Sequence, residues 1–312
     1  MILDLQHKPT DVFINCFYSL IPMIEDYYKL DLSIIYSHSW NFTLTDTKEE
    51  ILGTRIKPFL WDNIVSPFMP LLCGLDLQKN DFLDFCELND VIEFELNHKN
   101  PVILSTDAFC CPWTKFYNDV HYHHHILIIG YKKDTNELIG YDSLSNDKLI
   151  FDMKILKDYF CGIYHFQKSK TNAQLTPNII ISDIVEKNKT MLDELARFQN
   201  LINNLDIEYE KQSIDNVDKI PLILRLDEIC KLRKNYTKVI NVLATMKFEK
   251  SYTQLNDLFL ELSKEWEKCK LHFVKLFLSN RNKLKGNITE TLSAIIENEK
   301  HAVSIMKELI AG

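Results

Sequence analysis

The sequence predicts an α+β region, helices plus an antiparallel sheet, over residues 1–170, followed by an all-α helical bundle over residues 171–312. Three observations lead there. At 312 residues the chain exceeds one typical domain, and with 46% hydrophobic residues it can bury more than one core. Short apolar or β-branched runs crowd the first part: PVILSTDAF from Pro101, HHILIIGY from His124 and ELIGYDSL from Glu137, with KKDTN between the last two. That is the grammar of strands and a hairpin. After about Lys170 the strand pattern stops, and apolar residues recur every three or four positions.

In chain order, MILDLQHKPTDVF lacks a basic stretch leading into an apolar run, so no secretory signal is expected. Residues 17–28, after Cys16, have helical character, although Pro22 would bend or delay a helix there. The strands of the late sheet follow, and TNAQLTPN marks the joint. Beyond it Leu195, Phe198, Leu201 and Leu205 form one stripe. Leu255, Leu258, Leu262, Trp266 and Cys269 form a second, and Ile288, Leu292, Ile295, Val303 and Met306 a third. With Pro221 opening another helix and Gly286 in a connecting turn, four antiparallel helices are expected. Arg233 and Glu299 interrupt these stripes. Each reaches the rim, or the two form a buried ion pair, or they touch a substrate cleft.

The net charge of −8, with no basic stripe, excludes an ordinary nucleic-acid binder. No window approaches the ~20 apolar residues of a membrane-spanning helix. A cytoplasmic protein with reduced thiols is therefore expected, and the Asn-x-Thr triplets at Asn41, Asn235 and Asn287 are chance matches. Of eight cysteines, only Cys110 and Cys111 lie close in sequence, and there is no CxxC. Cys73, Cys86, Cys161, Cys230 and Cys269 are expected as small buried hydrophobes.

HYHHHILIIGY, from His121, places four histidines in five positions. On a strand, His121, His123 and His125 share one face, a spacing that can gather imidazoles around a metal ion. No thiolate or carboxylate set at a familiar ligand spacing accompanies them. The catalytic alternative is sharper. His124 lies six residues before Gly130, and Asp142 eighteen residues after His124 across a turn, so an imidazole and a carboxylate sit on neighbouring strands. His125 stays open, because a one-residue slip exchanges faces. Asp142 would orient the ring and favour its imidazolium. Cys16, ahead of the helical stretch, is the candidate nucleophile. An ordinary thiol is only about 3% ionised at pH 7, and a helix amino terminus or a neighbouring imidazolium raises that fraction.

INCFYSL, SHSWNFTL, PVILSTDAFCCPW, HHILIIGY and YDSL together resemble the amino-terminal domain of the butirosin biosynthesis protein H family, over roughly residues 10–165. The resemblance implies a papain-like cysteine protease fold related to double-glycine leader peptidases. It also implies a place beside thiotemplated pathways making nonribosomal peptides, polyketides or polythioamides. It makes Cys16 the nucleophile, His124 the general base and acid, and Asp142 the orienting carboxylate. Asp107 becomes a structural or pocket-lining residue, and Trp40 and Phe42 core or pocket wall. The sequence departs from the papain pattern at the oxyanion glutamine, where Thr10 and Asp11 stand and Gln6 is more distant.

The implied function is amide formation by a cysteine acyltransferase of antibiotic-type biosynthesis. An acyl group would pass from an acyl or peptidyl carrier protein, through Cys16, to a small-molecule amine. Phosphopantetheine would arrive on the carrier, so no cofactor of the chain's own, no metal, no nucleic acid and no membrane partner is expected. The rivals are a papain-like peptidase or amidase with the same triad, and an inactive papain-like interaction module.

Overall fold

The computed structural model describes residues 2–5, 15–47, 50–57, 66–81, 84–143, 145, 147–169, 175–247 and 249–312. In chain order these form α1 (Ile21–Tyr28), β1 (Thr43–Leu44), α2 (Leu52–Arg55), β2 (Ile56–Lys57), α3 (Met69–Leu72), β3 (Leu75–Asn80), α4 (Leu88–Asn97), β4 (Val102–Asp107), β5 (His123–Lys132), β6 (Glu137–Asp142), β7 (Leu149–Asp152) and β8 (Gly162–Lys168). There follow α5 (Pro177–Lys187), α6 (Met191–Asn203), α7 (Ile207–Lys211), α8 (Pro221–Met246), α9 (Lys250–Ser279) and α10 (Leu284–Ala311). The fold is mixed, with an antiparallel six-stranded sheet, a two-stranded one and helices. No helix among the described residues is long and apolar enough to cross a membrane.

The chain divides into two compact units, Met1–Leu32 with Met69–Ala173, and Ser33–Phe68 with Gln174–Gly312. The second unit thus takes residues 33–68, which the sequence reading assigned to the first. The reason is aromatic: Trp40 packs edge-on against Phe259 at 5.3 Å, and Phe42 stacks on Trp266 at 5.9 Å, both partners on α9. Trp40 and Phe42 are core residues.

In the first unit the strand order is β3-β8-β4-β5-β6-β7, every pair antiparallel. The expected hairpin is present: β5 and β6 join through residues 133–136, with Asn136 at φ 56. Pairing runs Ile126↔Asp142, Leu127↔Tyr141 and Ile128↔Gly140, then shifts to Gly130↔Ile139. Ile129 is the extra residue of a β-bulge. Its carbonyl accepts from Leu3 N–H at 2.8 Å, so the shifted strand is still bonded. Gly140 faces this irregularity closely: a Cβ there would lie 2.4 Å from the Leu127 carbonyl oxygen. Residues 124–130 of β5 are all buried, which is what a central strand covered on both faces requires.

In the second unit α8, α9 and α10 run 26, 30 and 28 residues. Where four helices were expected, the described residues of 174–312 form six, because breaks at residues 188–190, 204–206 and 212–220 divide the run before Pro221. Asp206 is one cause, its carboxylate accepting from Glu208 and Tyr209 N–H at 3.1 Å to start α7. Pro221 opens α8 as expected. Gly286 does not lie in a turn but inside α10, with open space around it; the turn falls at residues 280–283, entered by Asn280 at φ 51. A helical glycine costs about 1 kcal/mol, a small penalty for so long a helix. Arg233 and Glu299 form the buried ion pair, Nε to Oε1 at 2.7 Å, both fully inaccessible. Trp40 Nε1 donates to the other oxygen of Glu299.

Candidate active site

Cys16 sits in a turn ahead of a 3-10 turn, Tyr18–Leu20, and α1 begins only at Ile21. Pro22 lies in the first turn of α1, where no N–H is required of it. The thiol is therefore not at an α-helix amino terminus, and a helix dipole gives it no direct help. Asn15 holds the turn instead. Its Oδ1 accepts from Tyr18 N–H at 2.9 Å, and its carbonyl accepts from Ser19 N–H and Oγ at 3.1 and 2.7 Å. Cys16 is thereby presented to the sheet, 1% exposed.

The first residues of β5 supply the imidazoles and face the carboxyl end of β4, with Thr106 opposite His124 and Ser105 opposite His125. Because β5 alternates, His124 faces one side of the sheet, and His123 and His125 the other. Asp142 pairs with Ile126, two residues from His124, and so projects to the same face as His124. The two meet: His124 Nε2 lies 2.6 Å from Asp142 Oδ2, both fully buried. Trp113 Nε1 donates to the same Oδ2 at 2.5 Å. His124 Nδ1 has no hydrogen-bond partner among the described residues.

The Cys16 sulfur reaches the strand from the His125 side. Sγ is 3.2 Å from His125 Nδ1 and 3.6 Å from the His123 carbonyl oxygen. His125 is wedged among Phe17 at 5.3 Å, Tyr164 at 5.7 Å and His123 at 4.7 Å, ring centre to ring centre. Ser105 Oγ lies 3.1 Å from His123 Nε2.

The three imidazoles differ electrically. Burial opposes the charged form of His124, but the Asp142 carboxylate, by charge and hydrogen bond, and the Cys16 sulfur outweigh it, raising the pKa to about 10. His125 goes the other way: burial first, then the positive charges of His123, His124 and Lys79, push it well below the ordinary value. Burial, with His124 and Lys79, lowers His123 to about 4. At neutral pH the cluster holds one imidazolium and two neutral rings. With the thiol as donor, Nδ1 of His125 accepts and its ring proton sits on Nε2.

Of the residues chosen from sequence, His124 and Asp142 pair directly, while the Cys16 sulfur acts on His124 electrostatically and makes its hydrogen-bond contact with His125. Thr10, Asp11 and Gln6 lie outside the described residues. Asp107 organises the loop between β4 and β5: its carboxylate accepts from Phe109 and Tyr122 N–H at 2.9 and 3.0 Å and meets His121 Nδ1 at 2.8 Å. His121 stacks on Phe109 at 4.4 Å, away from the other histidines. Among the described residues no three His, Cys, Asp or Glu side chains are disposed to hold a metal ion. Cys230 and Cys269 are buried as expected, whereas Cys86 and Cys161 are exposed and Cys73 is half-buried, because they fall in loops rather than on packed faces. Sequence reasoning missed Trp113; the only signal was an indole in the loop before the histidines. No family model matches the chain, and no curated protein matches it.

Proposed function

We propose that the first unit, Met1–Leu32 with Met69–Ala173, is a papain-like cysteine acyltransferase and that the long helices of the second unit form a bundle. On this reading Cys16 takes an acyl group from a carrier-protein thioester and delivers it to an amine in the cytoplasm. The observation that carries it is the fully buried His124–Asp142 pair, whose imidazole is held charged by the Asp142 carboxylate and by the Cys16 sulfur. A structural histidine has no need of a buried carboxylate that keeps it charged, whereas a thiolate nucleophile does. The likeness of five sequence segments to the butirosin biosynthesis protein H family adds the substrate class.

The chemistry follows from these groups. The reactive form is a Cys16 thiolate paired with the His124 imidazolium, the charged state that Asp142 stabilises. Sulfur attacks the thioester carbonyl; the new C–S bond forms, the carrier's C–S bond breaks, and the departing thiolate takes the proton from His124. Exchange of one thioester for another is nearly thermoneutral. The amine then attacks acyl-Cys16, His124 accepts its proton, and the amide leaves as the sulfur regains its charge. Neutral His125 positions the thiol by the 3.2 Å contact and, with its low pKa, is too weak a base to serve as the proton acceptor.

The test is intact-mass detection of an acyl adduct on Cys16 after incubation with acylated carrier proteins, with Cys16→Ala as control and candidate amines added second. Amide product supports transfer. Free acid alone favours the peptidase-like rival, and Cys16 alkylated by iodoacetamide no faster than the other thiols favours the inert module.

A further inference from the structure

The loop that carries Trp113 to Asp142 also carries the two adjacent cysteines, and the catalytic reading leaves them unused. Cys110 and Cys111 Sγ lie 4.0 Å apart, at the end of the 3-10 turn Ala108–Cys110. Cys110 Sγ also approaches Thr106 Oγ1 at 3.5 Å and donates to the Asp107 carbonyl at 3.0 Å. Its pKa falls to about 7, chiefly through the hydrogen bond from Cys111. Cys111 is fully buried and feels the Asp142 charge. Two residues on, Trp113 holds Asp142 Oδ2.

We propose that Cys110 and Cys111 form a reversible adjacent-residue disulfide with a small disulfide such as oxidised glutathione, and that closing it withdraws Trp113 from Asp142. Cys110 thiolate attacks the glutathione disulfide, forming Cys110–S–S–glutathione and releasing one glutathione. Cys111 then displaces the second, so two protein thiols are oxidised, one glutathione disulfide is reduced, and the two thiol protons leave with the products.

The geometry dictates the consequence. A disulfide needs sulfurs about 2.05 Å apart and Cα atoms usually at least 4.4 Å apart, while neighbouring Cα atoms are held at about 3.8 Å. The eight-membered ring is therefore strained and readily reduced, which suits a switch rather than a staple. Closing it draws the sulfurs from 4.0 Å to about 2.05 Å and strains the Cys110–Cys111 peptide, whose N–H ends the 3-10 turn on the Ala108 carbonyl at 3.0 Å. The segment that gives way runs straight into Pro112 and Trp113. The effect on Cys16 rests on the function proposed above; the disulfide does not.

Oxidised glutathione would be added to the full-length protein, free thiols trapped with N-ethylmaleimide, and peptides mapped without reduction. The expected peptide bearing residues 110 and 111 is unalkylated and about two mass units lighter than the dithiol, returns to the dithiol with dithiothreitol, and is blocked by one equivalent of phenylarsine oxide. Stable glutathione on Cys110 with Cys111 still alkylatable overturns the proposal, as does a peptide alkylated at both positions. The second readout is alkylation of Cys16 by iodoacetamide, expected to slow about ten-fold on oxidation and recover on reduction, one pK unit of thiolate population. Cys110→Ser and Cys111→Ala should each lose that response. If the disulfide forms and Cys16 reactivity is unmoved, the coupling to Trp113 is wrong. If Cys16 is inert in both states while the disulfide forms, the proposed acyltransferase fails and the dithiol site stands.

Discussion

Among the described residues two ion pairs are entirely buried, one in each unit: His124–Asp142 and Arg233–Glu299. Their chemistry differs because their proton inventories differ. Arg233 is a permanent cation, and both oxygens of Glu299 are occupied, one by Arg233 and one by Trp40. Nothing there can exchange at ordinary pH, so the pair fixes how α8, α10 and the Trp40 segment fit together. In the first unit one oxygen of Asp142 holds both His124 and Trp113, and the second imidazole nitrogen is left over beside a thiol. Burial alone does not make a reactive site. An ionisable pair next to a thiol is what the proposed chemistry adds.

The comparison breaks most sharply at the carboxylates. Asp142→Ala should lower acyl transfer by about 10³–10⁴-fold, the scale seen when a triad loses its orienting carboxylate. Glu299→Ala should instead act on stability, lowering unfolding free energy by about 3–5 kcal/mol by chemical denaturation, since it strands a buried arginine. Replacing both partners, Arg233→Met with Glu299→Leu, should recover most of that loss. Equal behaviour of the two alanine variants in both assays would erase the distinction.

Proton linkage sharpens it next. The folded pKa of His124 is raised from 6.5 to about 10, so its share of stability is complete below about pH 6.5 and drains away as pH rises towards 10. Denaturant melts across that window should show a falling limb that Asp142→Asn removes. NMR titration should find the His124 ring charged at pH 8 in the native protein and neutral in the variant, because burial then acts unopposed. The Arg233–Glu299 pair should contribute no such limb. His123 and His125, with lowered values, act in the opposite sense and cost stability as pH falls below 6.5.

Smaller effects separate the neighbours of the proposed triad. His125→Asn should slow Cys16 alkylation by less than about ten-fold, against a loss near the Asp142→Ala scale for His124→Ala; reversed magnitudes would exchange the two roles. Trp113→Phe removes one hydrogen bond, worth about 1 kcal/mol, and should cost transfer about five-fold.

Much of this was legible because it is local. The hairpin around residues 133–136, the strand at Val102–Asp107 and the stripe on α9 follow from periodicity and turn residues. Arg233 and Glu299 stood out as charges on apolar stripes, which is why their pairing could be named among the alternatives. The choice between His124 and His125 was not legible, and the reason is physical. Both faces of β5 are covered, so alternation carries no sign of which side holds the carboxylate, and the Ile129 bulge shifts the count along the strand. Pairing of Ile126 with Asp142 puts the carboxylate on the His124 side. Residues 33–68 joined the helices through contacts with residues more than two hundred positions away, which no window in the sequence can see. The late start of α1 was signalled by Pro22, and the thiol lost its dipole accordingly.

Gly140 gives the hairpin an unexpected lever. It lies two residues before the carboxylate, and any side chain there would collide with the backbone of the histidine strand at Leu127. A methyl group at this position would act as a wedge, prising the two strands apart and lengthening the imidazole–carboxylate contact without touching either partner. The smallest residue in the hairpin therefore sets the clearance on which the site's tuning depends.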